Sequence, residues 1–370
     1  TGVTIEDKVE GIQKAPLDVF NTENLTAVTV ADTLANLGTI TSLKDILTNL
    51  PSTVTTTYKA EGDTVTEGAV TATANLTNLN ALTSITFDDP TVTTVNLTAS
   101  DAEGVGKSGS ELTLGNLFDG KTLNLTATAK DDFIKLGTAA AVNEINLGEG
   151  ANTLTVEAGA TVSSILGGSA VDTITLNGLT TGDITINGKG GADVITLSDA
   201  NETVVLGDGV TLEGQSGTAA TISTYTASTT GAPADHLAFL KTNEVLAKFI
   251  TEDGKGDVAT FDAESAAGTV TTGKINLGTA KANLAEAATT DALVALFGQT
   301  GGGKINHLKA GDEAILVTKA DTDAKSLCIW YLKGGADDKV ATDDTIVLLG
   351  TVSKDGSAET VLTADDFTAF

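Results

Sequence analysis

One five-residue phrase, repeated at a nearly constant interval, restricts the folds open to this chain more than any other feature. It reads Asp132-Phe-Ile134-Lys-Leu136, Asn152-Thr-Leu154-Thr-Val156, Asp172-Thr-Ile174-Thr-Leu176 and Asp193-Val-Ile195-Thr-Leu197, in steps of 20, 20 and 21 residues. Each of the last three copies follows a glycine-bearing turn: Leu147-Gly-Glu-Gly150, Gly167-Gly-Ser-Ala170 and Gly188-Lys-Gly-Gly191. Twenty residues are too few for a helical-hairpin repeat but suit two short strands and two turns, one coil of a β-solenoid. A second apolar run lies half a period away in each coil, at Ile145-Asn-Leu147, Ile165-Leu166, Ile184-Thr-Ile186 and Val204-Val-Leu206. Alternation points Ile, Leu and Val inward and Thr outward, where β-branched side chains suit an exposed pleated surface.

The fold expected is therefore mainly β, a parallel β-solenoid or β-roll-like stack of about 20-residue coils over residues 76–225. A mixed α/β region, residues 1–75, precedes it. Leu34, Leu37, Ile40, Leu43, Ile46, Leu47 and Leu50 follow a three-and-four spacing that predicts one or two short helices before Pro51. Thr218 to Pro233 reads as a linker. Residues 234–370 read as an α+β domain. There, Asp235 is placed to cap a helix carrying Leu237, Leu240, Val245, Leu246 and Phe249, and Ala280 to Phe297 forms a second helical candidate. Ala314–Val317, Leu327–Leu332 and Thr345–Leu349 read as strands of a closing sheet.

Charge excludes several functions. All 21 basic residues are Lys, against 49 acids, for a net charge of -28. A nucleic-acid partner requires a basic stripe that displaces counterions, and an anionic lipid surface requires the same sign of charge. No run approaches the ~20 apolar residues of a membrane span, so no membrane insertion is expected. The single cysteine, Cys328, lies in the apolar run Leu327-Cys-Ile-Trp-Tyr-Leu332 and reads as a small buried hydrophobe. The chain starts at Thr1 and contains no Met, which suggests a processed or excised fragment.

The turn-and-strand phrase resembles the glycine-aspartate nonapeptide G-G-x-G-x-D-x-U-x of RTX proteins, whose β-rolls bind calcium. Gly167-Gly168-Ser-Ala-Val-Asp172-Thr-Ile174 matches except for Ala170, and Gly188-Lys-Gly-Gly191-Ala-Asp193-Val-Ile195 matches except for Lys189. Leu147-Gly-Glu-Gly150-Ala-Asn152 carries Asn where the motif has Asp. Glycine allows the tight turn and bare carbonyls, and Asp offers the hard anionic oxygen calcium prefers. The family repeats its motif on both edges, every nine residues. Here it occurs once per coil, so the resemblance implies at most a single row of calcium ions. The candidate metal residues are Asp172 and Asp193, then Asn152 and Asp208, with Gly168 and Gly191 in the turns. The competing expectation is that Gly, Asn and Asp serve the turns alone.

Catalytic signatures are sparse. His236 and His307 lie outside any H-E-x-x-H, Gly301-Gly-Gly-Lys304 lacks Walker spacing, and Asp253-Gly-Lys-Gly-Asp257 lacks the later Glu of an EF-hand. No enzyme is expected. The final residues, Leu362-Thr-Ala-Asp-Asp366-Phe-Thr-Ala-Phe370, resemble the uncleaved C-terminal signal of type I secreted bacterial proteins. Together these features resemble a bacterial surface-layer protein of the RTX type. That resemblance implies an extracellular, cell-surface subunit in a calcium-dependent two-dimensional homo-oligomeric lattice. Anchoring to lipopolysaccharide would fall to an N-terminal part missing from this chain. A secreted calcium-binding adhesin with a solenoid stalk is the alternative.

Overall fold

A computed structural model of the chain describes residues 2–20, 22–40, 47, 49–82, 84–118, 120–210, 212, 219–226, 235–261, 268–278, 288–296, 305–306, 309–320, 325–335, 344–353 and 362–370. The protein is mainly β, with 44% strand against 11% helix, and most of its strand pairing is parallel. It divides into two compact units, Thr1–Ser164 and Ile165–Phe370.

The first unit opens with β1 (Val3–Asp7), β2 (Leu25–Asp32), β3 (Thr55–Ala60), β4 (Val65–Thr66), β5 (Ala69–Ala74) and β6 (Ile85–Phe87). It continues with β7 (Thr94–Ala99), β8 (Leu112–Leu114), β9 (Thr122–Thr126), β10 (Phe133–Leu136), β11 (Val142–Asn146) and β12 (Thr153–Glu157). β1, β2, β3 and β6 form one parallel sheet. β5, β7, β9 and β11 form a second, with β4 antiparallel on its edge. β8, β10 and β12 form a third. From β7 to β12, successive strands alternate between the second and third sheets. Parallel neighbours need a crossover, and here the crossover is the intervening strand of the other sheet.

Register stacks like on like. Ile134 lies opposite Leu154 and Leu136 opposite Val156, and all four are fully buried. Lys135 lies opposite Thr155 on the other face and pairs with Glu157 at 2.5 Å. Of the helical stretch expected before Pro51, Leu34–Leu37 forms, its N-terminus capped by the Thr33 hydroxyl accepting from the Asn36 amide. Leu43 and Ile46 lie outside the described residues.

β13 (Ser164–Leu166) straddles the boundary between the units. The second unit then contains β14 (Thr173–Asn177), β15 (Asp183–Asn187), β16 (Val194–Thr196), β17 (Asn201–Leu206), β18 (Ala220–Ser223) and β19 (His236–Phe239). Further on come β20 (Val258–Phe261), β21 (Gly268–Thr269), β22 (Ile275–Gly278) and β23 (Ile305–Asn306). The last strands are β24 (Glu313–Lys319), β25 (Ser326–Lys333), β26 (Thr345–Ser353) and β27 (Phe367–Ala369). β15, β17, β19 and β27 make one parallel sheet. In the other, β14, β16, β18 and β26 are parallel, β25 and β24 follow antiparallel, and β22 and β20 end the sheet.

The three strands expected at the C-terminal end are thus present, and they extend the repeat's sheet within this unit. Their core gathers Trp330, Leu316, Leu293 and Cys328, with the Trp330 indole N–H donating to Thr318 Oγ1 at 2.9 Å. Part of the expected linker is also strand, since Ala220–Ser223 pairs with both Val194–Thr196 and β26; residues 227–234 lie outside the described residues.

One helix prediction is overturned. Asp235 does not cap a helix through Leu237 and Leu240: His236–Phe239 is β19, paired with Thr203–Leu206. Helix is confined to Glu244–Ala247, capped by Asn243 accepting from Val245 and Leu246 N–H. The apolar spacing fits either structure, and pairing with a strand 33 residues earlier decided it. The second helical candidate survives as Thr290–Leu296, while residues 279–287 and 297 lie outside the described residues.

Candidate functional site

The first residue of each phrase sits where the chain turns into β10, β12, β14 or β16, and all four are buried: Asp132, Asn152, Asp172 and Asp193. Their side chains face backbone N–H groups. In the first unit, Asp132 Oδ1 accepts from Val105 N at 2.5 Å and Oδ2 from Thr128 N at 2.8 Å, with the Thr128 hydroxyl donating to the same carboxylate. Asn152 Oδ1 accepts from the amide of Asp132, 20 residues earlier, at 2.9 Å, and its Nδ2 donates to Gly150 O. In the second unit, Asp193 Oδ1 accepts from the amide of Asp172 at 2.9 Å, while Asp172 Oδ2 accepts from Gly168 N at 3.1 Å. Asn152 and Asp193 thus make the same bond across steps of 20 and 21 residues. Each such residue caps an amide that the turn would leave unpaired in the interior, where an orphan costs ~1–3 kcal/mol.

The glycines follow from this packing. A side chain at Gly188 would occupy the place of the Asp193 carboxylate, and one at Gly191 would strike the carbonyl of Ala170. Asp208 is different: half-buried, its Oδ2 accepts from Asn187 Nδ2 at 2.7 Å. Burial pushes the Asp193 carboxyl up to about 7, with the nearby Asp172 charge adding and the Asp172 N–H bond opposing. Burial also raises Asp132, against the pull of the Val105 and Thr128 donors.

Calcium takes six to eight oxygens, several of them anionic. Asp172 and Asp193 supply two carboxylates, both already turned onto amide donors, and Asn152 Oδ1 is committed to Asp132 N–H. Among the described residues, no group of three or more His, Cys, Asp or Glu side chains is placed to hold a metal ion. As arranged, in each unit these side chains bond to the backbone.

Related capping acids escaped the sequence reading. Asp101 accepts from Leu76 N at 2.8 Å and Thr77 N at 3.1 Å, capping the helix Leu76–Asn80 that precedes it by about 25 residues. Asp32 does the same for Val9 N, at the start of helix Val9–Lys14. The second unit buries further acids at corresponding places: Glu202 near the start of β17, Asp235 just before β19 and Asp366 just before β27. Asp235 Oδ1 accepts from Glu202 N at 3.1 Å and Oδ2 from Thr226 N at 2.7 Å. The fully buried Tyr225 hydroxyl lies 2.9 Å from Asp235 O and 3.1 Å from Asp366 Oδ1. Asp366 Oδ2 in turn accepts from Thr363 N and Oγ1. One signal could have found Glu202: a hydroxyl residue four positions earlier, Ser198, as Thr128 precedes Asp132.

Elsewhere in the first unit, a shallow groove of about 270 Å³ is lined by Asn96, Asn124 and Asn143, whose amides hydrogen-bond in file at 2.7 and 3.1 Å. Among the expected non-sites, Cys328 is buried and Asp257 pairs with Lys274 at 2.5 Å. His236 is half-buried at the start of β19, and His307 and Gly301–Lys304 lie outside the described residues. No helix among the described residues is long and apolar enough to cross a membrane. Comparison of the chain with protein-family models, with curated proteins and with solved structures finds no match.

Proposed function

We propose that the alternating parallel strands are coils of a β-solenoid and that the protein is a structural scaffold, the lattice-forming part of a bacterial surface layer of the RTX type. The observation that carries this reading is the use of the acids at the turns. Asp132, Asp172 and Asp193 lie inside, bonded to amides of their own or neighbouring coils, rather than gathered around an open cleft. A chain whose distinctive residues hold coil on coil is built to be a surface, not a catalyst. Secretion to the cell exterior and tiling by identical copies follow from the same reading, with the net charge of -28 relieved by calcium bound at exposed acids on and between subunits. An adhesin with a solenoid stalk is the second reading, favoured by the Asn-lined groove of the first unit.

Electron microscopy of the purified protein with calcium and with chelator tests the assembly. A two-dimensional lattice that dissolves in chelator is the expected result, and monomers under every condition would sink the proposal. A second prediction locates the ion. Asn152 already makes with an amide side chain the bond that Asp193 makes with a carboxylate, so Asp193→Asn keeps the coil-to-coil bond. The variant is expected to fold and to retain the wild-type calcium stoichiometry in calorimetry. A lost ion would return calcium to the Asp172–Asp193 column.

A further inference from the structure

The acids at the turns into β17, β19 and β27 contain an imbalance that hydrogen bonding to the backbone does not resolve. Glu202 is fully buried; its Oε1 accepts from Ser198, and its Oε2 has no hydrogen-bond partner. Asp235, also fully buried, stands at the start of the paired strand with its Oδ1 3.1 Å from the Glu202 amide, and the Glu202 carboxyl is among the groups that raise it. Two ionised carboxylates cannot face each other in a dry interior, and neither has a donor to spare. A single hydrogen between them supplies what is missing. We propose that Glu202 and Asp235 share one proton, and that this shared proton is a pH-sensitive clasp joining β17 to β19 in the second unit.

The surroundings fit a proton better than a metal ion. Asp235 has both oxygens occupied by N–H donors, from Glu202 and Thr226, leaving no room for a cation's coordination shell. The ionisable group beside Asp235 is the Tyr225 phenol, which lies 2.9 Å from Asp235 O and in turn reaches the Asp366 carboxyl at 3.1 Å; His236 follows Asp235 in sequence. Burial, then the Glu202 carboxyl, holds Asp235 up to about 8, and burial with the Asp366 and Asp235 charges raises the Tyr225 phenol well above its ordinary value. A folded-state value above the unfolded one means the native state holds the extra proton. The contribution is complete below the ordinary carboxylate range and is lost as pH rises through about 8. The clasp is therefore closed in mildly acidic and neutral medium and opens in alkaline medium, when the proton leaves for solvent and two like charges remain.

Glu202→Gln tests this directly. Its amide places a permanent N–H where Oε2 stands and donates to Asp235 at every pH. The wild-type melting temperature is expected to fall as pH rises from the ordinary carboxylate range to about 8 and to level off above it, and that of Glu202→Gln to fall less, the gap widening up to about pH 8. A Gln variant that tracks the wild type, or melts below it at the alkaline end, overturns the proposal. Infrared spectra of the wild type keep the test independent of the variant's folding. A protonated carboxyl band shielded from solvent is expected near neutrality and should persist in Asp193→Asn, which removes the other carboxyl that burial raises to about 7; its absence there overturns the proposal. Calcium chloride added in alkali provides the last arm. If it rescues the wild type and leaves the Gln variant unmoved, a cation and not a proton joins the pair.

Discussion

Asp132→Ala is expected to destabilise the first unit by about 3–5 kcal/mol, since it strands several interior donors at once. Asp132 is fully buried and accepts from Val105 N, Thr128 N and the Thr128 hydroxyl. Each buried donor left without a partner costs ~1–3 kcal/mol, and alanine replaces none of the lost acceptors. Relief from burying a carboxylate offsets part of this, because burial raises the Asp132 value. The same shift sets the sign of the pH dependence. A folded value above the unfolded one means that wild-type stability declines as pH rises above the ordinary carboxylate range, while the alanine variant has no such group. The gap between them should narrow towards alkaline pH. Asp132→Asn should cost less, since Asn152 shows that an amide can stand in this position, accepting through Oδ1 and donating through Nδ2 to a turn carbonyl. Urea unfolding followed by circular dichroism measures the series. A loss below about 1 kcal/mol for Asp132→Ala would mean that water reaches those donors and that the column is not interior.

The strands of the repeat were legible because two periods coincide in them. The 20-residue step places the phrase copies, and the two-residue alternation places Ile134, Leu154, Ile174 and Ile195 inward, where all four are fully buried. The positions of Asp132, Asn152, Asp172 and Asp193 were legible for the same reason, but their orientation was not. A turn motif specifies which residue types recur and says nothing of whether a carboxylate faces an ion or an amide. That choice depends on the neighbouring parallel segment, as the bonds from Val105, Asp132 and Asp172 show. Distance in sequence explains the helix expected after Asp235. Asp235 followed by Leu237 and Leu240 has the local look of a capped helix, and only the register with Thr203–Leu206 makes it a strand. Glu202 is a lone acid in a Thr and Val run, and its importance appears only when β19 lies beside it. The strands at Ala314, Leu327 and Thr345 were visible as apolar runs, yet nothing local told that Thr345–Ser353 would pair with Ala220–Ser223.

Gly191→Ala is expected to cost the second unit about 3–5 kcal/mol, through backbone strain and a collision that cannot relax. Gly191 holds φ at +112°, a region L-residues rarely enter, which alone costs ~1–3 kcal/mol. A Cβ there would also meet the carbonyl oxygen and carbon of Ala170, and the Asp193 carboxylate beyond them. The obstacle is main chain of the segment leading into β14, so relief requires that segment and its neighbour to part and the Asp172–Asp193 bond to stretch. Gly254→Ala is the control. Its φ of +83° carries a similar backbone penalty, but nothing lies within 4 Å of the added methyl, so its cost should stay near ~1 kcal/mol. The difference between the two variants isolates the closeness of coil on coil from the conformational preference of glycine. Hydrogen exchange at the amides of Asp172 and Val194, both bonded across that step, should quicken in Gly191→Ala and stay unchanged in Gly254→Ala. If the two variants melt alike, the turns do not approach as closely as the buried acids require, and the case for side chains that tie one parallel segment to the next fails at its tightest point.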